Sequence, residues 1–291
     1  MIGGRTIARV IRAHSQREGG GFVVTRPFPT RGLAHLDPFL LLDELGPVQY
    51  PPGEALGAPD HPHRGMETVT YVLQGEGAHA DSAGNAGSIG PGDVQWMTAG
   101  AGVVHREMPS LSMQRNGGTS HGFQVWVNLP REHKMTRPRY QEISAAAIPV
   151  VHSDDGLAEG RIIAGSALGA TAPIQTFVAL HYHHWRLKPG GSVQLPMPPD
   201  HNVALYVFEG EAEVHGSRVA RGELAVLEGG DTVGFRSAGG AQLLLLAGRP
   251  LNEPIAWGGP FVMNTEAEIA QAWADFRAGK MGTIPPEIVR A

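Results

Sequence analysis

The segment Tyr71-Val72-Leu73-Gln74-Gly75-Glu76 returns later in the chain as Tyr206-Val207-Phe208-Glu209-Gly210-Glu211. In both places a Gly-Asp pair and an apolar run follow: Gly92-Asp93 with residues 94–97, and Gly230-Asp231 with residues 232–235. Short β-branched and aromatic runs separated by glycine turns mark an antiparallel sandwich or barrel, and self-similarity on this scale marks an internal duplication. The 40 glycines and 23 prolines fit such a chain of tight turns. At 291 residues there is length for two cores. The expected fold is therefore all-β, a sandwich or barrel repeated in tandem: an N-terminal domain over residues 1–140 and a C-terminal domain over 141–291.

Inside the first copy, His61-Pro62-His63 and His105-Arg106-Glu107 are two pairs at spacing two. In a strand, residues two apart point to the same face, so each pair can aim two ligand atoms at one point. Together they offer three imidazoles and one carboxylate, a donor set for a transition metal: Fe, Mn, Co, Ni, Cu or Zn. His181 and His183 share that spacing, which alone is weak evidence, and with His14, His35, His79, His121, His133, His152 and His184 they are read as structural. The second copy has Met197-Pro198-Pro199-Asp200-His201 where the first has its His-x-His loop, and no His-x-Glu after Phe235. The barrel does not need the four residues to fold, so their presence in one copy points to function.

A net charge of -5 with 18% charged residues excludes a binder of nucleic acid or membrane surfaces that works by electrostatics. With no cysteine, thiolate catalysis and iron–sulfur clusters are excluded, and a metal must be held by nitrogen and oxygen. Apolar runs such as residues 243–247 are far too short to span a bilayer. A cytoplasmic protein is expected. Residues 1–34 read as an edge strand, a turn and a second strand, residues 39–42 as a buried strand, and residues 47–59 as a loop. Near the C-terminus, Thr265-Glu266-Ala267-Glu268 is a capping box, with Ile269, Trp273 and Phe276 at helical spacing and Gly279 placed to end a single packing helix.

The runs D-H-P-H-R-G-M-E-T-V-T-Y-V-L-Q-G, G-P-G-D-V-Q-W-M-T-A-G-A-G-V-V-H-R-E-M-P, V-W-V-N-L-P and G-P-F-V-M-N-T resemble the pirin family of the cupin superfamily. The resemblance runs over nearly the whole chain. It implies two cupin (jelly-roll) barrels with the metal in the first, held by His61, His63, His105 and Glu107, and Fe(II) as the usual ion. Cupins commonly take a glutamate soon after the first His pair, and Glu67 stands there. Counting back from Gly75, however, puts Thr68 in the ligand register, and Gly65 could host the bulge that turns Glu67 away. Pirin-like proteins use the later glutamate, so Glu107 is the expected ligand and also the expected base.

Two activities follow from the resemblance. One is dioxygenation of a flavonol such as quercetin by O2, with Trp96, Met97, Phe123 and Val125 as candidate walls and Gln95, Thr98 and Gln124 as candidate partners of the ligands. The other is a non-catalytic, metal-bearing regulator that binds transcription or metabolic proteins.

Overall fold

The computed structural model describes residues 3–286, and strands dominate it, with two α-helices, Leu111–Asn116 and Glu266–Arg277. Two compact units emerge, and their membership interleaves along the chain. One comprises Ser15–Thr25, Phe39–Ala145 and Asn252–Ala291; the other comprises Met1–His14, Arg26–Pro38 and Ala146–Leu251. This differs from the expected single cut near residue 140. The N-terminal strand Thr6–Arg12 completes the second copy's sheet by pairing antiparallel with Glu223–Glu228. The C-terminal helix, expected with the second domain, groups with the first copy instead. Edge partners so distant in sequence leave no local signature, because any exposed strand edge offers the same backbone donors and acceptors.

In the unit that holds the first copy, one sheet runs in the order Arg139–Ile143, Val94–Thr98, Met66–Gln74, Gly118–Asn128 and Phe39–Tyr50. A smaller sheet runs Ala58–His63, Val103–Pro109, Gly77–Asp81 and Ala86–Ile89. The strand Phe39–Tyr50 carries on through Pro47, where a loop was expected to begin. Opposite it the register shifts between Ser120 and Gly122, and Gly46 has a φ of 82°. A bulge is one of the few places where a strand tolerates proline, which has no N–H to donate.

The helix Glu266–Arg277 starts with the expected capping box: Thr265 accepts from the Glu268 amide while the Glu268 carboxylate accepts from the Thr265 amide. It buries Ile269 and Ala272 against Phe261, Met263, Val104 and Ala80. No helix among the described residues is long and apolar enough to cross a membrane.

The other unit is built on a sheet in the order Thr6–Arg12, Glu223–Glu228, Asn202–Val214, Ala241–Gly248, Leu180–Leu187, Ala158–Ala164 and Val150–His152. Alternate residues of its long strands, among them Val203, Leu205, Val207, Leu243 and Leu245, fill an apolar core together with Trp185 and Phe235.

Candidate metal centre

Ala58–His63 and Val103–Pro109 pair antiparallel with His61 directly opposite His105, and spacing two adds His63 to the same face. The three rings lie 4.3 Å (His61 to His105), 4.8 Å (His61 to His63) and 5.0 Å (His63 to His105) apart, centre to centre. One nitrogen from each comes within 4.8 Å of the others, the spread over which three ligands can share one ion. His63 and His105 are buried, and His61 is half-exposed.

Backbone carbonyls orient two of the rings. His61 Nδ1 lies 2.7 Å from the Pro59 oxygen and His63 Nδ1 lies 3.2 Å from the Pro260 oxygen. A proton on each Nδ1 donated to those carbonyls leaves Nε2 with a free lone pair toward the common centre, the usual support for a metal-bound imidazole. His105 has no hydrogen-bond partner at either ring nitrogen although it is fully buried. An unsatisfied buried nitrogen is costly and calls for an explanation; a metal supplies one. Burial holds His63 well below the ordinary imidazole range, with the neighbouring His105 and His61 adding to the effect. His105 is lowered likewise by burial, then by His61 and His79. Neutral imidazoles are the form that ligates, so the residues present fit a transition-metal ion.

Glu107 lies two residues beyond His105 and outside the converging trio. Its carboxylate is gripped by the opposite sheet: Thr70 Oγ1 donates to Oε1 at 2.7 Å and Gln124 Nε2 donates to Oε2 at 3.1 Å. These contacts show which face of the larger sheet meets the histidines. Directly opposed residues share a face, and Thr70 opposes both Gln95 and Gln124 while Thr68 opposes Met97 and Trp126. Trp126 meets His63 edge-to-face at 5.2 Å and stacks on Trp257 at 5.6 Å.

The site face is therefore Thr68, Thr70, Gln95, Met97, Gln124 and Trp126. Of the expected wall residues Met97 is on it, whereas Trp96, Phe123 and Val125 alternate to the other side. Among the expected partners of the ligands, Gln124 serves Glu107 and Thr98 serves Glu67; the His61 and His63 imidazoles meet backbone carbonyls instead. Trp126, Thr70 and Pro260 were not singled out from sequence. The V-W-V-N-L-P and G-P-F-V-M-N-T runs carry two of them, but their facing depends on strand register.

Glu67 points away from the histidines. Gly65 takes a φ of 81° between the strands that end at His63 and start at Met66, so alternation is broken there. Its carboxyl is buried, accepts from Thr98 Oγ1 at 2.7 Å, and is pushed up to about 7, chiefly by burial. Between the ordinary carboxylate range and pH 7 the folded chain holds a proton that the unfolded chain has released, so stability from this group falls as pH rises through that window. Glu67→Gln mimics the protonated form. It is expected to stabilise the protein by roughly 1–3 kcal/mol at pH 8 and hardly at all at pH 4.5, measured by urea unfolding at both.

The chain behind the ligand strand is anchored from several directions. Arg64 donates through Nε to the Ala101 carbonyl at 2.7 Å and through Nη1 to Asp275 Oδ2 at 2.9 Å, tying the ligand loop to the C-terminal helix. The Val262 amide donates to the Arg64 carbonyl at 3.0 Å. A Cβ on Gly65 would collide with the Val262 carbonyl, so the close approach requires glycine at that position.

Comparison with known proteins places these features. The family Pirin matches residues 21–127, and the family Pirin C-terminal cupin domain matches residues 182–282. A pirin-like protein of Solanum lycopersicum is 41% identical over 283 residues, covering 96% of this chain and 93% of that protein. Pirin of Homo sapiens is 38% identical over 289 residues, covering 97% and 96%. Among solved structures, a quercetin 2,3-dioxygenase from Acinetobacter baumannii is 40% identical with a TM-score of 0.92, covering 97% of this chain and 100% of that one.

Proposed function

The chain belongs to the pirin family of two-barrel cupins, and on that premise we propose that it is an Fe(II)-dependent dioxygenase of flavonol-like substrates, with His61, His63 and His105 as the metal ligands and Glu107 beside them as the base. The observation that carries this reading is the trio of converging imidazoles beside a half-buried tryptophan pair. Similarity to a quercetin 2,3-dioxygenase supports the substrate class. Bound iron would supply Lewis acidity toward an enolic oxygen and a redox-active centre for O2.

The protein's own part is positioning and proton transfer. Carbonyls of Pro59 and Pro260 hold two imidazoles in the ligating tautomer. Trp126, with Trp257 behind it, offers a flat apolar wall for the substrate's fused rings. Glu107 is the base: its carboxylate takes the proton of the flavonol hydroxyl, and Thr70 and Gln124 keep it aimed as it does so.

The test is to load the stripped protein with Fe(II), add quercetin and oxygen, and follow loss of the flavonol absorbance beside a His63→Ala control. Turnover no faster than the control would refute the enzyme and favour the regulatory reading. In the same assay Trp126→Ala is expected to raise KM about tenfold with a smaller change in kcat, since a wall acts on substrate and transition state alike.

A further inference from the structure

The interior face of the larger sheet in the first barrel extends one strand beyond Gln95 and Met97. Arg139–Ile143 pairs with Val94–Thr98 so that Tyr140 opposes Met97 and Glu142 opposes Gln95. Opposed residues share a face, so Tyr140 and Glu142 join the side chains turned toward the histidines. One row runs Trp126, Thr68, Met97, Tyr140, and the next runs Gln124, Thr70, Gln95, Glu142. On the facing sheet Asp81 opposes His105 and His79 opposes Glu107. The two sheets meet at this end: His79 stacks on Tyr140 at 5.5 Å and 17°, and its Nε2 lies 2.8 Å from Glu142 Oε1. Tyr140 thus closes the row that Trp126 opens.

Two polar groups here are not explained by packing. Gln95 is 4% exposed, and its Nε2 finds no acceptor among the described residues. The Tyr140 oxygen is buried too and takes part in no hydrogen bond of ordinary geometry. Leucine and phenylalanine would fill the two places without stranding a polar atom. Burial pushes the Tyr140 pKa up, and the carboxylates of Asp81, Glu107 and Glu142 push it further, so the hydroxyl stays protonated and is drawn toward Asp81. Asp81 is already served by the Ala83 and Asn85 amides and by Asn85 Nδ2. The lone pairs of the Tyr140 oxygen are left free. Register makes Gln95 and Tyr140 diagonal neighbours, near enough for long side chains to act on one ligand group. The amide is a donor and the phenol oxygen an acceptor. A guest hydroxyl satisfies both, accepting from Gln95 and donating to Tyr140, whereas the surrounding carboxylates repel an anionic oxygen.

We propose that Gln95 and Tyr140 form a polar subsite of the first barrel that recognises a neutral phenolic hydroxyl on the substrate's pendant ring. The subsite rests on the flavonol reading above, with the fused rings against Trp126. At a strand spacing of about 4.8 Å, Tyr140 lies about 14 Å along its row from Trp126, a span on the scale of a three-ring flavonol. The pendant ring is the part of such a molecule that points away from the tryptophan.

The experiment compares quercetin, whose pendant ring carries two hydroxyls, with galangin, whose pendant ring carries none. Affinities are measured by calorimetric titration of protein loaded with Zn2+, which has no redox chemistry and keeps the ligand intact. Wild type is expected to bind quercetin about tenfold more tightly than galangin. Tyr140→Phe and Gln95→Leu should each cut that preference to about threefold or less and leave galangin affinity within about twofold of wild type. Equal affinity of wild type for both flavonols, variants that keep the preference, or variants that weaken both ligands alike would each overturn the subsite alone. Wild type that binds neither flavonol would overturn the substrate reading and the subsite with it. Should Gln95→Leu fold poorly, Tyr140→Phe, which removes a single oxygen, decides.

Discussion

A His105→Leu variant is expected to lose the metal and the oxygenase activity proposed for the first barrel, and yet to unfold at a higher temperature than metal-free wild type. The two effects have separate causes. With His105 gone, the converging set shrinks to His61 and His63, and the metal no longer closes a three-nitrogen ring. Activity should fall at least ~100-fold, more than is typical when only a supporting partner of a ligand is lost. Stability moves the other way in the absence of metal. His105 strands two buried nitrogens, each costing about 1–3 kcal/mol, and leucine brings similar bulk with nothing to satisfy. A gain of 1–2 kcal/mol corresponds to a rise of a few degrees in Tm for a domain of this size. In metal-loaded protein the order should invert, because wild type then gains the binding free energy. Calorimetry of both proteins, stripped and loaded, reads all four values. A stripped variant that melts below stripped wild type would show that the His105 nitrogens are satisfied without metal, and the metal reading of this trio would fail.

The contrast between the copies explains why one barrel interior is polar. Aligning Tyr71 with Tyr206 sets Thr68 against Val203 and Thr70 against Leu205. Thr70 holds Glu107, whereas Val203 and Leu205 are core. Two hydroxyl-bearing residues on one strand face thus separate a site that can hold polar chemistry from a filled core.

Much of this was open to inspection in the residues themselves. The duplication, the all-β architecture, the three imidazoles and the capped helix all rest on short-range patterns: period two, glycine turns, i to i+3 capping. What stayed hidden needs register. Trp126 and Val125 are adjacent, and only pairing with Thr68 and Val69 tells which one faces the histidines. Gly65 decides that Glu67 points away, and a glycine's φ is not written in its neighbours. Pro260, which orients His63, is close in space because a C-terminal segment folds back on the first copy. The stacking of Tyr140 on His79 was likewise invisible, since strands so far apart in sequence share no common spacing rule.

Lys134 is the residue whose loss should cost the first barrel most in stability. It is 1% exposed, and its ammonium donates to the Gly65 carbonyl at 2.8 Å, Asn128 Oδ1 at 2.7 Å and the Val262 carbonyl at 2.9 Å. Those acceptors belong to the ligand loop, the end of the Gly118–Asn128 strand and the C-terminal Phe261–Met263 strand. Burial pushes the group down to about 8, so at pH 7 it is still charged and all three protons are engaged. Lys134→Met fits the aliphatic path but leaves three buried oxygens without a donor. At roughly 1–3 kcal/mol each, less the desolvation cost that the charge no longer carries, the net loss should be on the order of 3 kcal/mol. Lys134→Arg should not rescue it, because a planar fork cannot reach three carbonyls that converge on one tetrahedral nitrogen. The damage should also reach the metal: Val262 is two residues from Pro260, whose carbonyl orients His63, and Gly65 is two residues from His63 itself. Faster metal release on chelator challenge is therefore expected alongside the lower urea midpoint. A variant with a wild-type midpoint would mean that water replaces the ammonium, and one that is destabilised but releases metal at the wild-type rate would uncouple this anchor from the ligand loop.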